Sequence, residues 1–197
     1  MGSLITRDYM ATYGDELAGA TIIGTCGVHE KYPEAIAGFQ KLCDEGKGEE
    51  ADPVLGDLLF QNFHARCPEG NVYGNEWICH DVNVQKDYAN DPLAAFVHPT
   101  TNRAMKDFCT MAVQVEGTEW AARVPADLPI YNIAGDEDPF GTYGVGPYLV
   151  ANWLLETGHN VRTVMYPGLR HEILNYVEVR DEIERGIVAF FDGVLAG

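Results

Sequence analysis

Two loops carry the residues of this chain whose types and spacing suit chemistry. Leu128-Pro-Ile-Tyr-Asn-Ile-Ala134 is a short apolar run with β-branched residues, and the acidic turn Gly135-Asp-Glu-Asp-Pro139 closes it. Val161-Arg-Thr-Val-Met-Tyr166 is a second such run, closed by Pro167-Gly-Leu-Arg-His171-Glu172. A helical stretch lies between them. Strands joined through a helix run parallel, and open α/β sheets place their sites at the C-terminal ends of such strands. The two loops are therefore expected side by side. An acid beside a histidine supplies two members of a nucleophile–His–acid constellation, in which the acid fixes the imidazole tautomer and supports the imidazolium. Asp138 is the candidate orienting acid and His171 the candidate general base. Asp136, two residues away, is the alternative acid. Glu172 reads as a local hydrogen-bonding group or a helix start.

The elements that must position these loops follow from periodicity. Residues 3 to about 16 read as a helix with Ile5, Tyr9 and Tyr13 on one stripe. Ala20-Thr-Ile-Ile-Gly24 reads as a short strand buried on both faces, as parallel strands are. Helical stretches broken by Pro and Gly then occupy 33–43, 53–66, 85–95 and 102–115, with a loop over 68–75 and no clear strand. Tyr143 to Glu156 reads as a helix with Val145, Leu149 and Trp153 on one face, ended near Gly158. Residues 178–195 form the strongest amphipathic pattern, with Ile183, Ile187, Phe190, Phe191 and Val194 on one side. The order is helix, strand, helical insert, strand, helix, strand, helix. This predicts an α/β fold with parallel strands, a core over 1–27 and 124–197, and a large helical insertion over 28–123. Within the insertion, Leu58, Leu59, Phe60, Phe63, Phe96, Met105, Phe108 and Met111 are expected as core, and as a set they suit the lining of an acyl-sized pocket.

Composition narrows the function classes. The 197 residues suit one domain with an insertion, and 46% are hydrophobic, enough to build a core. Thirty acidic against 13 basic residues, a net charge of -17, argue against nucleic acid and anionic membrane surfaces as partners. No apolar run is long enough to span a bilayer. The first residues lack the basic start and apolar core of a secretory leader. Cys26, Cys43, Cys67, Cys79 and Cys109 form an odd set without tight spacing, so reduced thiols and a cytoplasmic location are expected. Soft ligands do occur at His64-x-x-Cys67 and Cys79-His80, with Cys26 and His29 upstream. They lack the paired spacing of structural zinc, so no metal and no cofactor is expected. Gly144-x-Gly146-Pro147 lacks the third glycine of a dinucleotide motif.

The chain resembles the C-terminal part of an α/β-hydrolase of the lysophospholipase and monoacylglycerol-lipase group, the serine aminopeptidase-like hydrolases. Met1-Gly2-Ser3-Leu4-Ile5-Thr6-Arg7-Asp8-Tyr9 resembles the family's Gly-His-Ser-Met-Gly-Ser elbow from its Met onward. Gly135–Pro139 is similar to the acid loop, and Gly168-Leu-Arg-His171-Glu172 to the histidine loop. Glu76–Asp81 and Asp91-Pro92-Leu93 resemble cap segments. The resemblance implies a truncated α/β-hydrolase fold, three last parallel strands with flanking helices, carrying a helical cap. It implies Asp138 and His171 as catalytic residues and the backbone N–H of Met1 as an oxyanion-hole donor. Aligned this way, the nucleophilic serine falls immediately before Met1. Ser3, the only serine, falls two residues after the nucleophile and is not expected to replace it, because no strand precedes it to form the strained elbow.

The implied activity is cleavage of a carboxylic ester of an acyl chain, a small-molecule substrate. The alternative is a non-catalytic remnant or interaction module of the same fold. Without a neighbour beyond Ala20–Gly24, that strand edge is expected to invite self-association.

Overall fold

The computed structural model describes residues 1–60, 62–94 and 99–196. In chain order its elements begin with helix α1 (Gly2–Tyr13), strand β1 (Ala20–Ile23) and helices α2 (Tyr32–Asp44), α3 (Pro53–Phe60), α4 (Val82–Asn90), α5 (Asn102–Gln114) and α6 (Gly117–Ala121). Strand β2 (Ile130–Gly135), helix α7 (Val145–Glu156), strand β3 (Val161–Tyr166) and helix α8 (Arg180–Leu195) complete it. The fold is α/β, and the chain divides into two compact units: Met1–Gly27 with Val115–Gly197, and Val28–Gln114.

The first unit holds a parallel sheet in the order β1-β2-β3. Ile130 of β2 pairs with Ala20 on one side and Val161 on the other. All six residues of β2 are buried, as befits a central strand covered on both faces. Asn132 sits in the middle of that strand, fully buried, where an unpaired amide is costly. Its Nδ2 donates to the Pro147 carbonyl at 2.9 Å, and its Oδ1 accepts from Thr25 Oγ1 at 2.5 Å. One polar side chain thus ties the loop after β1 and the first turn of α7 to the central strand. Elsewhere in this unit, Trp120 of α6 donates its indole N–H to the Arg7 carbonyl at 2.9 Å. Buried His159 stands between the Val124 carbonyl, 3.0 Å from Nε2, and Thr157 Oγ1, 2.9 Å from Nδ1, just before β3 begins. Phe190 of α8 packs on Tyr131 with ring centroids 5.5 Å apart.

Three sequence expectations about faces are corrected here. The stripe Ile5, Tyr9 and Tyr13 is exposed, and α1 instead buries Ser3, Leu4, Arg7 and Met10. The apolar spacing identified the helix but not the side facing the sheet. Strand β1 is not buried on both faces: Ala20 and Ile22 are buried while Thr21 and Ile23 are half-buried, as suits an edge strand of the described sheet. Helix α7 buries Pro147, Val150, Ala151 and Leu154, whereas Val145 is exposed and Leu149 and Trp153 are not on the buried face. With Leu, Val and Trp on all sides of α7, the 3.6-residue period cannot select one face.

In the second unit, α2 packs on α5 through Tyr32, Ala35 and Phe39 against Met105, Phe108, Cys109 and Ala112. The Tyr32 and Phe108 rings meet edge to face at 6.3 Å. Asn102 joins the ends of these helices: its Nδ2 donates to the Lys47 carbonyl at 2.9 Å and its Oδ1 accepts from the Asp52 N–H at 2.9 Å. Asp81 caps α4 by accepting from the Asn83 N–H at 2.8 Å. The helical run expected over 53–66 stops at Phe60 of α3, and that expected over 85–95 occupies Val82–Asn90. Among the described residues this unit has no strand. Of the eight apolar residues expected as insertion core, Leu59, Phe63, Met105 and Phe108 are buried, and Phe96 lies outside the described residues. Leu58 lines a cavity of about 420 Å³ beside Gly38, Leu42 and Leu55.

Candidate active site

The acid loop begins where β2 has no room for a side chain. A Cβ on Gly135 would collide with the carbonyl oxygen and carbon of Leu169. Backbone from the histidine loop therefore crosses directly over the end of β2, and only glycine permits it. Two backbone bonds seal the crossing: Asp136 N–H donates to the Tyr166 carbonyl at 3.2 Å, and Glu137 N–H to that of Leu169 at 2.9 Å. The chain then turns and buries Asp138 completely. Asp138 Oδ1 accepts from the Phe140 N–H at 2.8 Å, and the Asp138 carbonyl accepts from the Tyr143 N–H at 2.8 Å. Thr142 and Tyr143 both adopt positive φ, 49° and 54°, which non-glycine residues rarely do. Such strain persists only where the surroundings over-determine it. Here Gly146 N–H donates to Thr142 Oγ1 at 3.0 Å, and Gly146 itself abuts Gly27 so closely that a Cβ would collide with the Gly27 Cα.

His171 meets the acid from β3's loop. Its Nδ1 is 2.8 Å from Asp138 Oδ2, with Asp138 fully buried and His171 largely so. A proton on Nδ1 donated to the carboxylate makes Nε2 the basic nitrogen. The imidazole also packs on the Phe140 ring, centroids 5.1 Å apart. Gly24, at φ +60° after β1, comes so close that a Cβ there would be 3.1 Å from His171 Cε1. Three strand ends therefore converge on one imidazole. The alternative acid has another role: Asp136 Oδ1 accepts from the Gly168 N–H at 2.6 Å and holds the histidine loop. Glu172 Oε2 accepts from Asn175 Nδ2 at 2.5 Å, a local bond around the short 3-10 turn Ile173–Asn175.

Ser3 is buried, and its Oγ accepts from the Cys26 N–H at 3.2 Å. It fixes the loop after β1 to the first turn of α1. Ser3→Ala should destabilise the fold by about 1 kcal/mol by orphaning a buried N–H. A chemical denaturation curve that does not move would contradict this bond. Met1 starts α1, its carbonyl accepting from Leu4 and Ile5 N–H at 2.9 and 3.2 Å.

The soft residues weighed as metal ligands have other partners. His64 Nε2 faces Glu76 Oε2 at 3.2 Å. Burial opposes the charged form of Glu76, but the Tyr73 and Val72 N–H groups on Oε1 and nearby His64 outweigh it and hold the carboxyl below its ordinary value. Cys79 Sγ accepts from the Asp81 N–H, and His29 Nδ1 from the Lys31 N–H. Among the described residues no group of three or more His, Cys, Asp or Glu side chains is placed to hold a metal ion. Sequence reasoning passed over Gly24 and Phe140. Phe140 directly follows Asp138-Pro139, and an aromatic there was the available signal. The approach of Gly24 to His171 had none, because it depends on how the sheet pairs.

No curated protein matches the chain in sequence. Among solved structures, it superposes on a thermostable carboxyl esterase from Bacillus coagulans, solved in complex with glycerol, with a TM-score of 0.92 and 43% identity, covering 98% of this chain and 62% of that one. A lipase in its open form gives a TM-score of 0.87 at 29% identity, with the same two coverages of 98% and 62%. A soluble variant of the Saccharomyces cerevisiae monoglyceride lipase, bound to a substrate analog, shares the fold at 15% identity with a TM-score of 0.65, over 98% of this chain and 62% of that one. The chain thus spans less than two thirds of the length of these structural relatives. The protein-family model described as "Serine aminopeptidase, S33" matches residues 1–178. With that match over most of its length, and with three parallel strands carrying an acid loop and a histidine loop at their ends, the chain belongs to the S33 serine aminopeptidase-like group of the α/β-hydrolases.

Proposed function

We propose that this chain is the C-terminal part of a serine hydrolase of the lysophospholipase and monoacylglycerol-lipase type, which cleaves carboxylic esters of acyl chains. The observation that carries the reading is the 2.8 Å contact between His171 Nδ1 and the buried Asp138 carboxylate. His171 is the general base and Asp138 the acid that orients it. The nucleophilic serine is supplied by sequence immediately before Met1, and the Met1 backbone N–H is one oxyanion donor. The serine hydroxyl attacks the acyl carbonyl while His171 Nε2 takes its proton. His171 then returns that proton to the departing alcohol, leaving an acyl-serine. Water, deprotonated by the same nitrogen, releases the fatty acid. Residues 28–114, the second compact unit, are the helical cap insertion of that enzyme. The long, membrane-spanning type of helix is absent from the described residues, and the five free cysteines suit a reducing, cytoplasmic setting.

The test is a chimaera. The part of the Bacillus coagulans esterase that this chain does not cover is joined to Met1, with a serine placed immediately before that residue. Labelling by a fluorophosphonate probe, lost in His171→Ala, supports the proposal. A folded chimaera that the probe does not label overturns it.

A further inference from the structure

We propose that Phe140 is a positioning residue for the Asp138–His171 pair, with its ring setting the attitude of the imidazole. The inference rests on reading that pair as acid and base. Phe140 is held at both ends of its backbone: its N–H donates to Asp138 Oδ1 at 2.8 Å, and its carbonyl accepts from the Gly27 N–H at 2.7 Å. The first bond occupies one carboxylate oxygen and directs the other, Oδ2, to His171 Nδ1. The second ties the acid loop to the segment after β1. These anchors fix where the side chain leaves the backbone, and its ring centroid stands 5.1 Å from that of His171 at an interplanar angle of 39°. This lies in the range of favourable aromatic pairs, and the negative face of a phenyl ring stabilises a neighbouring cation.

For the imidazole the ring does three things. It blocks rotation that would break the Nδ1 bond. It shields that bond from water. It also favours the imidazolium that forms when the base has taken its proton. Phe140 is only half-buried, so its packing on His171 is not a by-product of being enclosed in the core. Its backbone contacts remain in any substitution, which lets the ring be tested alone.

The experiment uses the chain as it stands, with ¹⁵N-labelled histidine, and reads the His171 tautomer and the solvent exchange of its Nδ1 proton by NMR. His171→Asn assigns the signal. The unsubstituted chain is expected to hold the proton on Nδ1 with slow exchange. Phe140→Ala should speed that exchange by about tenfold, Phe140→Tyr should preserve it, and Phe140→Leu, which keeps bulk but no π face, should fall between the two. In the chimaera the same series should lower kcat by about tenfold for alanine and leave KM within about twofold. If the unsubstituted chain shows no Nδ1-protonated tautomer, the acid–base reading itself fails. If it does show one and neither Phe140→Ala nor Phe140→Leu changes exchange or kcat, the pair stands and the role of Phe140 is overturned. Should the alanine variant not fold, Phe140→Leu decides: exchange as slow as in the unsubstituted chain overturns the proposal.

Discussion

Asp138→Asn in the esterase chimaera is expected to lower kcat by about 10⁴-fold while leaving the fold intact. The introduced amide would present an N–H₂ donor or a neutral oxygen to His171 where a carboxylate now stands. An amide donor facing Nδ1 forces the proton to Nε2, the nitrogen that must be free to accept it. A neutral oxygen forfeits the charge that supports the imidazolium. Both effects act in a site where Asp138 is fully buried, so water does not screen them. Asp136→Asn is the internal comparison. Its carboxylate is bonded to the Gly168 N–H at 2.6 Å, and an amide oxygen can accept that same bond. Its kcat should fall by no more than about tenfold. The order of the two variants, measured by fluorophosphonate labelling rate and ester turnover, decides between the acids. A larger loss for Asp136→Asn would reverse the assignment.

The largest structural effect is expected at Gly135. Its Cβ position is occupied by backbone, with the Leu169 carbonyl in the way and the Arg170 carbonyl oxygen at 2.5 Å. Backbone cannot turn aside as a flexible side chain can, so Gly135→Ala must push the histidine loop away from the end of β2. We expect a loss of about 3 kcal/mol or more, and with it a fall in Tm of about 6–12 °C for a domain of this size. The same displacement should separate His171 from Asp138, so probe labelling of the chimaera should fall even in the fraction that remains folded. Gly193→Ala in α8 is the matched control, because nothing lies within 4 Å of a Cβ there. Alanine in a helix interior is preferred to glycine by about 1 kcal/mol, so this variant should be unchanged or slightly more stable. Equal stability of the two variants would dismiss the steric account.

Much of the architecture was legible in the residues because its signals are local. Apolar β-branched runs closed by Gly and Pro marked β2 and β3. The acidic turn and the Gly-x-x-His loop stood at their C-terminal ends, and a helix between the two strands implied parallel pairing and neighbouring loops. Asp138 and His171 followed from that order together with the family resemblance. Faces of helices were less legible. The spacing of Ile5, Tyr9 and Tyr13 identifies α1 as a helix, yet these residues are exposed while Ser3 and Arg7 are buried. An apolar stripe is a statement about one helix, whereas burial depends on what is packed against it.

What only the tertiary structure decided has a common physical cause: it concerns distances between residues far apart in the chain. Asp136 and Asp138 are chemically alike and two positions apart, and sequence could rank them only by family analogy. The crossing of Leu169 over Gly135 separates their roles by sending one carboxylate to the Gly168 N–H and the other to the imidazole. Ser3 as the acceptor for the Cys26 N–H, Asn132 as the tie between β2 and its flanking loops, and Phe140 against His171 are likewise contacts across the fold. By itself the sequence determined the element types, the strand ends and the residue types placed there, because propensity, periodicity and turn chemistry act over a few residues. The pairing of atoms at the site was left to the fold, because hydrogen bonds and steric contacts are decided over a few ångströms in space.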